Sequence, residues 1–263
     1  MRPDARVAVY YAPLPDDPLF TAGASWLGRD PESGAPLPQP DIPNIADITA
    51  EPRLYGFHAT LKPPMRLAEG RQWLDVVNAA TELADRTAPF NLPPLAVHDL
   101  FGFLALRETV PCPALQALAD ACVEHLDPLR AAPSDAELAR RRRGNLTARE
   151  DAMLMRWGYP YVFDKWFFHM TLTRRLTAEE KRRYQPAAEA HVSHAVAMPR
   201  RVTDICLFVQ PAPGAPFVIQ HRLKLHGGGL QGSAPHRLRR KYRSSRYQPS
   251  HATAATRCAR AER

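Results

Sequence analysis

Along residues 1–226 the hydrophobic and polar positions fall into two runs with the same order of elements. Residues 53–62 alternate apolar and polar side chains, as a half-buried strand does, and stop at Pro63-Pro64. From 71 to 88 the spacing becomes helical, with Trp73, Leu74, Val77, Ala80, Leu83 and Ala84 on one face. Strand-like stretches follow at 91–97 and 101–106. The second run opens with a strand over 165–173. A helix over 177–192 begins with Thr177 and Glu180 in capping-box spacing. Further strands at 202–209 and 217–225 flank a Pro213-Gly214 turn. An opening strand at 7–11 precedes both runs, and a Pro-rich, irregular stretch spans 30–43. Helices over 113–125 and 135–149, the latter with a charged face, bridge the runs. The pattern predicts an α+β domain over residues 1–226. It has two pseudo-symmetric lobes, each an antiparallel sheet backed by helices, with a cleft between them.

Charge changes this picture only at one end. The net charge of +8 resides wholly in residues 227–263, which carry nine Lys or Arg against the single acid Glu262. Residues 1–226 therefore hold 26 basic and 26 acidic residues and give no charge argument for a polynucleotide partner. The segment after Gly227-Gly228-Gly229 has few large aliphatics, so a disordered basic tail is expected, its cluster 237–246 being able to touch RNA or anionic surfaces. No apolar run approaches the roughly 20 residues that span a bilayer, and the N-terminus lacks a signal-like apolar stretch. Cys112, Cys122, Cys206 and Cys258 form no CxxC pair, so neither a disulfide framework nor a zinc site is suggested. A cytoplasmic monomer without metal or other cofactor is the expectation.

The candidate chemistry lies in two matched tetrads, His58-Ala59-Thr60-Leu61 and His169-Met170-Thr171-Leu172, 111 residues apart. Strand residues i and i+2 share a face, so each strand offers an imidazole beside a hydroxyl. Phe57, Ala59 and Leu61, like Phe168, Met170 and Leu172, turn to the core. Two imidazoles that titrate near neutrality can act as base and acid, while the hydroxyls hold phosphate oxygens. The tetrad alone is a weak signal, because His251-Ala252-Thr253-Ala254 in the tail matches too, and His191-Val192-Ser193 matches in part. The repeated strand setting is what sets the first two apart. Alternation also puts Lys62 on the His58 face. Tyr55, Tyr159 and Tyr161 lie near the motifs as candidates for stacking, and Arg174 as a candidate phosphate ligand, against the bland readings of packing or solvation. His98, His125, His221 and His226 have no motif around them. His191 and His194 lack acidic or thiol partners for a metal.

At these residues the sequence resembles the two-histidine (2H) phosphoesterase superfamily, defined by two His-x-Thr/Ser-hydrophobic motifs in a pseudo-symmetric two-lobed fold. The longer strings Tyr55-Gly-Phe-His-Ala-Thr-Leu-Lys-Pro-Pro64, Gly158-Tyr-Pro-Tyr161 and Phe168-His-Met-Thr-Leu-Thr173 resemble, more narrowly, a family of unknown function found in phosphonate-utilisation operons. The superfamily resemblance implies metal-independent cyclic phosphodiesterase or RNA end-processing chemistry by His58, Thr60, His169 and Thr171. The operon resemblance implies a cyclic ribosyl phosphate as substrate. The residues leave two alternatives open: a non-catalytic module that binds a nucleotide or RNA end, and RNA ligase-like end joining. They also leave open which histidine is base and which is acid.

Overall fold

The computed structural model describes residue 2 and residues 4–227. The tail expected to be disordered lies outside the described residues except for Gly227, which is docked by its N–H on the Thr87 carbonyl at 2.9 Å.

The fold is α+β, with every strand pair antiparallel. In chain order the strands are β1 (Arg6–Tyr11), β2 (Ala59–Met65), β3 (Phe90–Leu92), β4 (Leu95–Leu100), β5 (Phe103–Glu108), β6 (Met170–Arg175), β7 (Arg200–Val202), β8 (Asp204–Gln210) and β9 (Val218–Lys224). The helices are α1 (Pro18–Leu27), α2 (Ile45–Ile48), α3 (Ala50–Tyr55), α4 (Trp73–Arg86), α5 (Pro113–Leu126), α6 (Asp135–Arg142), α7 (Ala148–Trp157) and α8 (Ala178–Ala197). The main sheet runs β4-β5-β6-β2-β1-β8-β9, and β3 with β7 forms a separate ribbon.

Two sub-sheets meet in that order. Strands β4-β5-β6 are covered by α1 and α8, and β2-β1-β8-β9 by α4 and α5. They join through one residue pair, Ala59 with Met170. Beneath the joint, Phe57, Ala59, Leu61, Phe168, Met170 and Leu172 enter one core cluster. The chain interleaves to build this. Strands β4 and β5 precede β6 in sequence but lie beside it, while β8 and β9 return to the sheet begun by β1 and β2.

Several boundaries differ from the sequence pattern for physical reasons. The strand expected at 53–62 is a helix as far as Tyr55, a turn at Gly56, and only then β2. β2 also continues through Pro63 and Pro64. Its register against β1 slips there, since Val9 faces Lys62 while Val7 faces Met65. A bulge tolerates prolines, which cannot donate to the ladder. On α4 it is Val76 that is buried, and Leu74 is exposed. The single helix expected at 135–149 is two, because Gly144-Asn145 breaks it, with Asn145 at φ 53°, and Thr147 with Glu150 caps a new start. α1 escaped the pattern, although Asp17 caps it, Pro18 opens it and Gly28 closes it at φ 76°.

α1 also makes a very close approach to the strand that carries the first motif. A Cβ on Gly23 would lie 2.1 Å from the Phe57 ring. Gly-to-Ala in a helix is normally stabilising by about 1 kcal/mol. Here the overlap with the ring dominates, and overpacking costs about 1–3 kcal/mol. Gly23→Ala is therefore expected to destabilise the protein, read as a lower urea midpoint, and to disturb position 58 next in line. An unchanged or higher midpoint would show that the Phe57 ring is free to move.

Candidate functional site

The Ala59–Met170 pair fixes the site. In antiparallel register, one step either side of it sets His58 opposite Thr171 and Thr60 opposite His169. Ala59 and Met170 point into the core, so those four side chains stand together on the other face. All four are half-buried. Two indoles brace the strands at this point: Trp166 Nε1 donates to the Thr60 carbonyl at 2.8 Å, and Trp26 Nε1 to the Leu172 carbonyl at 3.0 Å.

Both imidazoles are held in the same way. His58 Nδ1–H donates to the Gly56 carbonyl at 2.9 Å, and His169 Nδ1–H to the Phe167 carbonyl at 3.1 Å. In each case the acceptor lies two residues back. A carbonyl can only accept, so Nδ1 carries a proton in both rings, and Nε2 is the second titrating atom of each. His58 Nε2 lies 3.2 Å from Thr60 Oγ1 and accepts from that hydroxyl. Gly56 makes the first arrangement possible. It takes φ 78°, and a Cβ there would meet Pro31 at 3.0 Å. Arg29 clamps the turn from below, donating to the carbonyls of Arg53, Leu54 and Phe217.

His58 lies in an aromatic wall. Tyr10 stacks on it with centroids 3.8 Å apart and planes 21° apart, and Phe208 stands 6.0 Å away. Burial pulls the His58 pKa down from 6.5 to about 4; the Gly56 carbonyl opposes the fall, and His169 and Arg29 add to it. His58 is therefore neutral at pH 7. Phe103 and Phe167 flank His169 at 6.0 and 4.9 Å.

The other sequence candidates divide. Tyr55 is at the rim, 6.3 Å from the His58 ring and stacked on Phe217. Tyr159 and Tyr161 meet edge to face at 5.6 Å, with the Arg141 guanidinium 4.7 Å from the Tyr159 ring. The Tyr159 phenol is near enough to Tyr10 to help raise the latter's pKa, which burial already pushes up. Lys62 is not on the His58 face. β2 carries an extra residue at Leu61, since Tyr10 faces Thr60 while Val9 faces Lys62, so Leu61 and Lys62 both turn to the helices. Lys62 Nζ donates to the Val123 carbonyl at 3.0 Å and lies 4.0 Å from Asp127. β6 slips at the equivalent place. Thr173 is buried there, and its Oγ1 accepts the Leu104 N–H instead of joining the site. Arg174 is likewise drawn away, ion-paired with Asp47 and Glu180. The sequence pattern missed Tyr10, Phe208, Trp166 and Arg107. None carries a motif, and only strand order brings them to the site. His191, set aside for metal binding, contacts Ser25 Oγ and the Ala22 carbonyl.

Among the described residues no group of three or more His, Cys, Asp or Glu could hold a metal ion, and no helix is long and apolar enough to cross a membrane.

Residues 60–218 match the family described as "Protein of unknown function (DUF1045)". Two curated relatives carry the name ribose 1,5-bisphosphate phosphokinase PhnN. That of Janthinobacterium sp. (strain Marseille) is 41% identical over 88% of this chain and 53% of its own length. That of Laribacter hongkongensis (strain HLHK9) is 39% identical over 81% and 50%. The chain thus spans about half the length of these relatives. Among solved structures, E. coli LigT complexed with NADP+ aligns at 14% identity and a TM-score of 0.41, covering 85% of this chain and 99% of that one. TT0787 of Thermus thermophilus aligns at 15% and 0.42, covering 84% and 98%.

Two pH effects follow from the buried bases. His58 is harder to protonate folded than unfolded. The unfolded chain therefore takes up the extra proton as pH falls from about 6.5 to about 4. Stability should fall across that window, by on the order of 3 kcal/mol, relative to a His58→Gln control titrated in parallel. Lys62, pulled from 10.5 down to about 8 by burial, acts in an alkaline window. Between those values only the unfolded chain keeps the proton, so wild type should gain stability with rising pH relative to Lys62→Met. Parallel denaturation curves for Lys62→Met and wild type would place Lys62 in solvent instead.

Proposed function

The chain belongs to the DUF1045 family, and we propose that it is a metal-independent phosphodiesterase that opens a cyclic phosphodiester on a sugar phosphate or nucleotide. One observation carries the reading: two histidines on adjoining strands, each locked by its Nδ1–H on the carbonyl two residues back, on a shared face that also bears two threonines. A structural histidine needs no such matched orientation, whereas an acid–base pair does.

His58, neutral at pH 7, is the base. As the phosphate enters, the Thr60 and Thr171 hydroxyls turn to its non-bridging oxygens, which frees His58 Nε2. A water oxygen attacks phosphorus and gives its proton to Nε2. The P–O bond to the ring oxygen breaks, and His169 delivers a proton from its own Nε2 to the leaving alkoxide. The product is a phosphomonoester beside a free hydroxyl, and the pair has exchanged one proton. A positive charge on His169 disfavours charge on His58, which keeps the two protonation states distinct. Tyr10 and Tyr55 wall the site on the His58 side, and Tyr159, with Tyr161 against it, lies close to Tyr10.

The relatives' name supports a ribosyl phosphate as the substrate. Breaking the P–O2 bond of a 1,2-cyclic phosphate on a ribose 5-phosphate yields a ribose 1,5-bisphosphate, the compound in that name. The second reading, a module that binds a nucleotide or RNA end without chemistry, keeps the same cleft but predicts no product.

The deciding experiment follows a panel of cyclic phosphates by phosphorus NMR. Wild type should open at least one, insensitive to chelator, and His58→Ala and His169→Ala should each lose at least about 10² in rate. Binding without turnover would favour the module, and joined RNA would indicate ligase chemistry. Because the base is His58, kcat/KM should hold down to acid pH and fall through about 4. A fall near 6.5 would assign the base elsewhere.

A further inference from the structure

Resting on that reading, we infer that the substrate carries a second anionic group, and that Arg107, in a cavity beside His169, binds it. The sheet register places this arginine. Ala105 faces Thr171 and Leu106 faces Met170, so one step on, Arg107 stands opposite His169. Leu104 and Leu106 are in the core, which leaves Arg107 on the histidine face. The row across the sheet is then Arg107, His169, Thr60 and Tyr10.

The arginine has a donor to spare. Its Nε is buried and has no hydrogen-bond partner among the described residues. The Glu108 carboxylate is 3.7 Å from Nη2, within ion-pair range but beyond a hydrogen bond. The guanidinium lies 5.1 Å from the Phe167 ring centroid, which holds the plane without using its donors. A buried donor without an acceptor is costly, and an anion on the fork removes that cost. Lys62 is buried and donates to the Val123 carbonyl, and Arg174 is ion-paired with Asp47 and Glu180, so neither competes for the anion.

The space is present too. Arg107 lines a half-open cavity of about 640 Å³ with His98, Glu108, Gln116, Trp166 and Phe167, within the usual range for small-molecule sites. His98 faces Ala105 across β4 and β5, so it belongs to the same face as Arg107. The Trp166–Phe167 segment lines this cavity and also reaches the catalytic pair. Its indole holds Thr60, and its carbonyl holds His169. A group bound in the cavity therefore lies one strand from the reacting phosphorus. That separation suits a phosphate on a neighbouring carbon chain of the same sugar.

The test compares 2′,3′-cyclic AMP with its 5′-phosphorylated form in wild type, Arg107→Met and Arg107→Lys, and measures ribose 5-phosphate binding by calorimetry in the same proteins. Wild type should prefer the 5′-phosphorylated substrate in kcat/KM by at least about tenfold, the worth of a charge-assisted hydrogen bond. Arg107→Met should collapse that ratio towards one and weaken ribose 5-phosphate binding, with Arg107→Lys between. The ratio compares substrates within one protein, so partial misfolding of a variant cancels. Turnover with no preference, or a preference that survives in Arg107→Met, overturns the second-anion site and leaves the phosphodiesterase standing. Ribose 5-phosphate binding that depends on Arg107, with no cyclic phosphate opened, keeps the anion site and removes the phosphodiesterase. Binding that is indifferent to Arg107 removes the site whatever the turnover.

Discussion

Everything at the site hangs on one backbone pair, Ala59 with Met170. It is the whole of the ladder between two sub-sheets of three and four strands. A slip of either strand by one residue would send its histidine into the core and bring Ala59 or Met170 to the site face. A single pair contributes too little hydrogen bonding to prevent that. The register is held from below, by the fully buried Phe57, Leu61, Phe168 and Leu172, and from the side, by the indoles of Trp26 and Trp166. Apolar burial thus fixes a polar site.

The two halves of the site repeat each other in detail that sequence identity does not show. Each histidine leans on the carbonyl two residues back, and each strand slips register just after its threonine. The slips matter electrostatically. They turn Lys62 and Thr173 away from the shared face, and Lys62 ends near Asp127. Without Lys62 beside it, His58 is depressed by burial, with His169 and Arg29 as smaller contributors. A lysine in the cleft would have neutralised the incoming phosphate at the reacting centre. Instead it is Arg107 that stands on the histidine face, one strand out.

The departures from pseudo-symmetry are equally physical. His58 is walled by Tyr10 and Phe208 from β1 and β8, whereas His169 has Phe103 and Phe167. The first wall is backed by the turn that Arg29 clamps, and Phe167 of the second also lines the cavity that holds Arg107. The two imidazoles therefore work in unlike surroundings although their hydrogen bonds match. In the proposed acid–base pair, that difference biases which imidazole holds the proton.

Residue order alone was enough for the α+β class, the antiparallel sheets, the capping box of α8, and the face shared by His58 with Thr60 and by His169 with Thr171. These depend on local period and on short-range hydrogen bonds, which neighbouring residues carry directly. Local pattern misjudged Lys62, because strict alternation cannot see a bulge that exists only against a partner strand. It split neither the α6–α7 segment nor the α3–β2 boundary correctly, since a turn at Asn145 or Gly56 is chosen by what packs around it. That β5 and β2 both lie beside β6 emerged only from the assembled fold. Those pairings bring together residues far apart in the chain, more than a hundred positions for the two histidines, and with them Tyr10 and Arg107. Strand order is a property of the whole core, and no local pattern encodes it.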